Sequence, residues 1–156
     1  MDLILWRHAD AGTPIAGPED LQRPLSSKGC RQARRMAAWL DRQLPADARV
    51  LVSPARRARE TAQALERPSR VVDALGPAAS ADDLLGCAGW PDGGGAVLLV
   101  GHQPSLGQAA ALVLSGLPLS WTLKKGSVWW LRGEPLTAGL KVLLRAVRLP
   151  GADQLQ

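Results

Sequence analysis

Three stretches of the chain are apolar without interruption: Leu3-Ile4-Leu5-Trp6, Val50-Leu51-Val52 and Ala96-Val97-Leu98-Leu99-Val100. Such runs predict strands buried on both faces, because a strand with one wet face alternates apolar with polar residues. Each run ends in polar chemistry. The first is followed by Arg7-His8, the second by Ser53-Pro54 with Arg56 and Arg57 behind it, and the third by Gly101-His102-Gln103-Pro104. Between the runs the pattern changes to a helical one. Ser26 and Ser27 offer N-caps for a helix reaching about Gln43, with Ala33, Met36, Ala37, Leu40 and Leu44 on one stripe and Pro45 beyond its end. A second helix is predicted over 55–66, with Ser53 as cap and Pro54 at its first position. A third is predicted over 80–87, with Ser80 as cap, and a fourth from Pro104-Ser105 to about Ser115. Val71-Val72 reads as a short strand. Two arms over 127–132 and 140–147, joined by a turn rich in Gly and Pro, predict a hairpin that adds an antiparallel edge to a mostly parallel sheet.

Strands alternating with helices imply an open α/β sheet whose parallel strands present their C-terminal ends along one edge, where ligands bind. His8, Arg7, His102 and one of Arg56 or Arg57 therefore converge on a single rim. Neighbouring strand residues face opposite sides, so Arg7 and His8 share a site only if the chain leaves the sheet at that point. The following loop, 10–24, holds three prolines and two glycines. A loop of that length inside a compact domain is often functional.

The 156 residues suit one domain over 1–156, able to bury an ordinary core. Phe and Tyr are absent, so Leu, Val and Ala must fill that core, with six Trp as the only large rings. The formal net charge of +5 would suit an anionic partner. Much of this charge sits at Arg31, Arg34, Arg35 and Arg42, however, spaced for the solvated side of a helix. No regular interleaving of aromatic and basic residues offers a stacking platform for nucleic acid. Cys30 and Cys87 lie far apart without metal-ligand spacing, which argues against zinc and disulfide scaffolds. No leader-like or membrane-spanning pattern is present, and a cytoplasmic monomer with no membrane partner is expected.

Two imidazoles and two guanidiniums on one rim suit a phosphoryl group. Arginine gives planar, permanently charged donors that match phosphate oxygens. A histidine among arginines has its charged form disfavoured, which leaves a neutral ring with a lone pair able to attack phosphorus. The other cations would neutralise the equatorial oxygens during transfer.

These motifs carry a resemblance. Arg7-His8-Ala9 after the first strand, Ser53-Pro54-x-x-Arg57-Ala58-x-x-Thr61, and Gly101-His102 after a later strand resemble the histidine phosphatase superfamily, also called the phosphoglycerate-mutase-like fold. Arg23-Pro24-Leu25-x-x-x-Gly29 and Gly101-His102-Gln103-Pro104-Ser105-Leu106-Gly107 look more narrowly like its SixA-type phosphohistidine phosphatases. The resemblance spans Leu3 to about Val147. It implies a three-layer α/β/α sandwich, with His8 as a transiently phosphorylated nucleophile and Arg7, Arg57 and His102 as the phosphate pocket. It selects Arg57 over Arg56, and adds Arg23 as a further phosphate-binding candidate. It implies no metal and no organic cofactor.

The chain departs from the family pattern twice. Arg-His-Gly is here Arg-His-Ala, and the glutamate that many relatives use as proton donor has no clear counterpart. Asp10, Asp20, Asp82 and Asp83 are the candidates to replace it. A phosphoramidate leaving group removes the need, since its ring nitrogens can take protons from solvent. Short connections imply an open pocket that would admit a phosphorylated side chain of a protein, such as a histidine-containing phosphotransfer domain. The competing expectations are a phosphatase of a small phosphorylated metabolite or nucleotide, and a non-catalytic module binding nucleic acid or phosphopeptide.

Overall fold

The computed structural model describes residues 1–151; the last five residues of the expected 1–156 domain lie outside the described ones. Among the described residues six strands form one sheet: β1 (Asp2–Arg7), β2 (Arg49–Val52), β3 (Arg70–Val71), β4 (Ala96–Gly101), β5 (Val128–Leu136) and β6 (Gly139–Arg148). The order across the sheet is β3-β2-β4-β1-β5-β6. The first four strands run parallel, while β5 pairs antiparallel with both β1 and β6. Four helices, α1 (Ser27–Gln43), α2 (Arg56–Gln63), α3 (Ala81–Ala88) and α4 (Ser105–Ser115), cover the two faces.

The apolar runs explain why there are helices on both sides. Leu3, Ile4, Leu5 and Trp6 are fully buried, and the period of two sends alternate residues to opposite layers. Ile4, Trp6, Val50, Val52, Leu98 and Val100 pack with Met36 and Leu40 of α1 and Ala58 and Ala62 of α2. Leu3, Leu5, Leu51, Val97 and Leu99 pack with Leu84 and Ala88 of α3 and Leu106, Ala109 and Ala110 of α4. The result is the expected three-layer α/β/α sandwich with an antiparallel edge.

Several boundaries differ from the expectation. α2 starts at Arg56 with Ala55 as N-cap and no side-chain cap; Ser53, two residues before that position, has its Oγ accept the Ala55 N–H instead of a first-turn N–H of the helix. It ends at Gln63, three residues early; the chain then tightens and reaches a positive φ at Glu66. β3 lies at Arg70–Val71, one residue before the expected pair. The hairpin arms are longer than predicted, since Gly133 and Pro135, read as turn residues, stay in register with β6 until Leu136 meets Gly139. Pro135 is tolerated there because the ladder with β1 ends at Arg132, leaving β5 with β6 as its one neighbour. Among the described residues no helix is long and apolar enough to cross a membrane.

Candidate active site

The adjacent ends of β1, β2 and β4 build the site. Arg7, the last residue of β1, lies opposite Gly101 in the ladder, and the His8 N–H donates to the Gly101 carbonyl as the chain leaves the sheet. The Ser53 N–H donates to Val100 in the same way on the other side of β4. These exits bring Arg7, His8, Arg57 and His102 around one cavity of about 240 Å³, which Arg23 and Asp20 also line. His8, Arg23, Arg57 and His102 are 3–8% exposed. The two imidazole rings stand 5.1 Å apart between centroids.

Hydrogen bonding fixes the state of His8. Its Nδ1 lies 2.8 Å from the Ala9 carbonyl oxygen. A carbonyl only accepts, so Nδ1 carries the hydrogen and a neutral ring keeps its lone pair on Nε2. Burial, together with the charges of Arg57, Arg7 and Arg23, pushes the His8 pKa down to about 4. His8 is therefore neutral at physiological pH, with one basic nitrogen to offer.

His102 is set differently. Its Nε2 lies 2.7 Å from Ser53 Oγ. That oxygen accepts the Ala55 N–H, and among the described residues its hydroxyl hydrogen has no other acceptor, so the hydrogen is assigned to Nε2. Burial and then the neighbouring His8 and arginines push the His102 pKa to about 3, so the ring is neutral and its proton belongs on Nδ1. His102 Nδ1, Arg7 Nε and Arg57 Nε are all buried without a hydrogen-bond partner among the described residues. An unmet buried donor costs about 1–3 kcal/mol, so three on residues of one cavity mark a place for an anionic acceptor.

The guanidiniums are held by backbone and by one carboxylate. Arg7 Nη1 donates to the Leu123 carbonyl at 2.8 Å. Arg57 Nη1 donates to the Asp20 carbonyl at 2.9 Å and pairs with Asp20 Oδ2 at 3.3 Å. Arg23 donates through Nε to Asp20 Oδ1 and through Nη1 to the Ala11 carbonyl. Burial lowers the pKa of Arg7 and Arg57, yet arginine stays charged throughout the accessible range. Arg56 lies outside this cluster: it is exposed and pairs with Glu60.

None of the candidate carboxylates is poised as an acid. The Ile15 N–H and Arg23 hold the Asp20 pKa down to about 2. The Ser26 hydroxyl and Lys125 hold Asp10 below the ordinary range. Asp83 forms the capping box of α3 with Ser80, and Asp82 is exposed beside it.

Some of this could not be read from the sequence. Asp20 ties Arg23 to Arg57, a role that its i,i+3 spacing to Arg23 only hints at. Ser53 orients His102 where a helix cap was expected. Thr61 braces the first loop, accepting the Ala9 N–H and donating to the Arg57 carbonyl. Gly29 is needed because a Cβ there would collide with the Asp10 carbonyl, where the start of α1 crosses the loop after His8.

Comparison with known proteins agrees with this layout. A family model described as histidine phosphatase superfamily (branch 1) matches residues 3–75. Phosphohistidine phosphatase SixA of Escherichia coli strain K12 is 36% identical over 119 residues, covering 76% of this chain and 69% of that one. The crystal structure of a SixA from Agrobacterium tumefaciens, itself described as a putative phosphohistidine phosphatase, superposes with a TM-score of 0.78 at 24% identity, over 96% of this chain and 98% of the other. A structure of the protein histidine phosphatase SixA complexed with tungstate gives 0.71 at 25% identity, over the whole of both chains.

Proposed function

This chain belongs to the histidine phosphatase superfamily, and on that premise we propose that it removes phosphate from phosphohistidine on a protein, through a covalent phosphohistidine intermediate on His8. The observation that carries the reading is the His8 ring itself. Its Nδ1 hydrogen goes to the Ala9 carbonyl, which leaves a basic Nε2 in a cavity ringed by three guanidiniums.

In the first step Nε2 attacks phosphorus, the N–P bond to the substrate imidazole breaks, and that imidazole leaves with a proton from solvent. In the second, water attacks the phosphorus on His8, the new N–P bond breaks, and inorganic phosphate departs with His8 neutral again. Arg7, Arg57 and Arg23, together with the donor on His102 Nδ1, would stabilise the equatorial oxygens in both steps. This supply of positive charge supports a course that needs no metal. The ionised state of Asp20 and Asp10 favours a leaving group that takes its proton from solvent, as a phosphoramidate does. We read the chain as one such catalytic domain, acting on a phosphorylated protein that binds transiently.

The test is rapid quench after mixing with phosphoramidate or a phosphohistidine protein in the presence of chelator. An acid-labile, base-stable phosphate is expected on His8. With His8→Ala, both labelling and turnover should vanish, a loss of about 10⁴-fold or more. Turnover that survives the substitution would overturn the two-step mechanism.

A further inference from the structure

The cavity around His8 opens onto more space than a phosphoryl group requires. Arg7 and Lys125 also line a neighbouring cavity of about 790 Å³, bounded by Lys28 of α1 and by Lys124. Lys28 in turn lines a third cavity, of about 290 Å³, with Arg31 and Arg35. Because successive cavities share residues, they form one groove running from the phosphate site along the exposed first half of α1.

Positive charge gathers in this groove without compensation. Among the described residues, Lys28, Arg31, Arg35 and Lys124 have no carboxylate within ion-pair distance, and neither do Arg34, Arg42 and Arg70 elsewhere, whereas the exposed Arg56 pairs with Glu60, Lys141 with Glu134 and Arg145 with Asp2; what sets the first four apart is that they line adjoining cavities beside the phosphate site. Among the described residues Asp10 is the one carboxylate lining the two outer cavities, and Ser26 and Lys125 already occupy it. Helix stability does not account for the arrangement either. Lys28 and Arg31 lie in the first turns of α1, which carries no acidic residue there, and cations at that end oppose the helix dipole. A solvated face would not need charges placed against the dipole beside an anion site.

We infer that this groove docks an acidic surface flanking the phosphorylated side chain of a substrate protein, so that substrate choice is made on α1 and the chemistry on the sheet edge. The inference rests on the protein-phosphohistidine reading above. An acidic protein fits better than single-stranded nucleic acid, since among the described residues no aromatic side chain lines the outer groove to stack a base. Oppositely charged rims mainly raise the rate of encounter and weaken with salt.

The experiment compares the native chain with Lys28→Glu/Arg31→Glu on two substrates: phosphoramidate, and an acidic phosphotransfer protein phosphorylated on histidine with phosphoramidate. Glutamates near a helix N-terminus favour folding, and unchanged phosphoramidate turnover reports an intact site. The variant should keep phosphoramidate kcat/KM within about twofold and lose about tenfold on the phosphoprotein, mostly in KM. The gap should close at about 0.5 M salt. The neutral pair Lys28→Gln/Arg31→Gln should lose about threefold. Equal turnover of the phosphoprotein by native chain and variant overturns the docking groove and leaves the phosphatase reading standing. A native chain that hydrolyses phosphoramidate but not the phosphoprotein overturns the protein-substrate reading, and the groove's role with it. Competition by duplex DNA that is abolished in the variant overturns the acidic-protein assignment in favour of nucleic acid.

Discussion

His8 and His102 follow the ends of neighbouring strands, β1 and β4, yet their rings are held in opposite ways. The His8 ring is fixed by the carbonyl of the very next residue, a contact the chain makes with itself. The His102 ring is fixed by Ser53, a side chain 49 positions away on the far side of the same strand. The first arrangement leaves a lone pair on Nε2 and the second leaves a hydrogen on Nδ1. In the proposed reaction one histidine serves as nucleophile and its neighbour as donor, although burial and the same arginines push both pKa values down. Two identical side chains 5.1 Å apart are left with different groups to offer because of which ring nitrogen the protein occupies.

Removing the donor is the strongest way to break this contrast. His102→Ala should lower kcat by about 10²–10³-fold, the usual effect of losing one preorganised donor to the transferring group. It should still allow slow labelling of His8 in a quench experiment. Loss of labelling as complete as in His8→Ala would mean that the two rings do not divide the work.

The Ser53 contact sharpens the same point at smaller scale. Ser53→Ala should keep the fold but release the tautomer of His102, with kcat falling about tenfold and KM moving little. In the His102→Ala background the same substitution should have almost no further effect on kcat. Additive losses in that double-mutant cycle would show Ser53 acting through something other than His102.

The smallest expected effect is on stability. An unfolded histidine titrates near 6.5, while the folded values lie at about 4 and about 3. As pH falls below about 6.5 the unfolded chain takes up protons that the folded chain refuses, so stability is full above that pH and declines below it. Calorimetry between pH 7 and 5 should show Tm dropping by about 10 °C. The drop should be smaller in His8→Ala and His102→Ala. The lowered carboxylates Asp2, Asp10 and Asp20 act mainly below this window. Identical slopes for all three proteins would mean that the buried rings are not the groups titrating.

Much of the frame was legible in advance because it rests on local pattern. The three uninterrupted apolar runs predicted strands buried on both faces, and each is covered by helices on two sides. The stripe from Ala33 to Leu40 predicted α1 over nearly its true length. Errors fell where distant partners overrode local preference. Ser53 has a strong capping propensity, but the helix cap falls two residues later than expected, so its oxygen meets the Ala55 N–H and its hydrogen goes to the His102 ring. Gly133 and Pro135 are turn residues by composition, but pairing with β6 carries them as strand. In the site, Asp20 bridges Arg23 and Arg57, a contact between separate segments that residue type and spacing do not reveal.

By itself the sequence determined the layered α/β architecture, the sheet edge on which Arg7, His8, Arg57 and His102 would converge, and the kind of chemistry they suit. These follow from periodicity and from residue type, properties each segment carries alone. Only the tertiary structure decided which nitrogen of each histidine is free, which carboxylate is neutralised, and which surface arginines border a groove rather than open solvent. Each of these depends on the distance between groups far apart in the chain, and that distance exists only after the layers have packed.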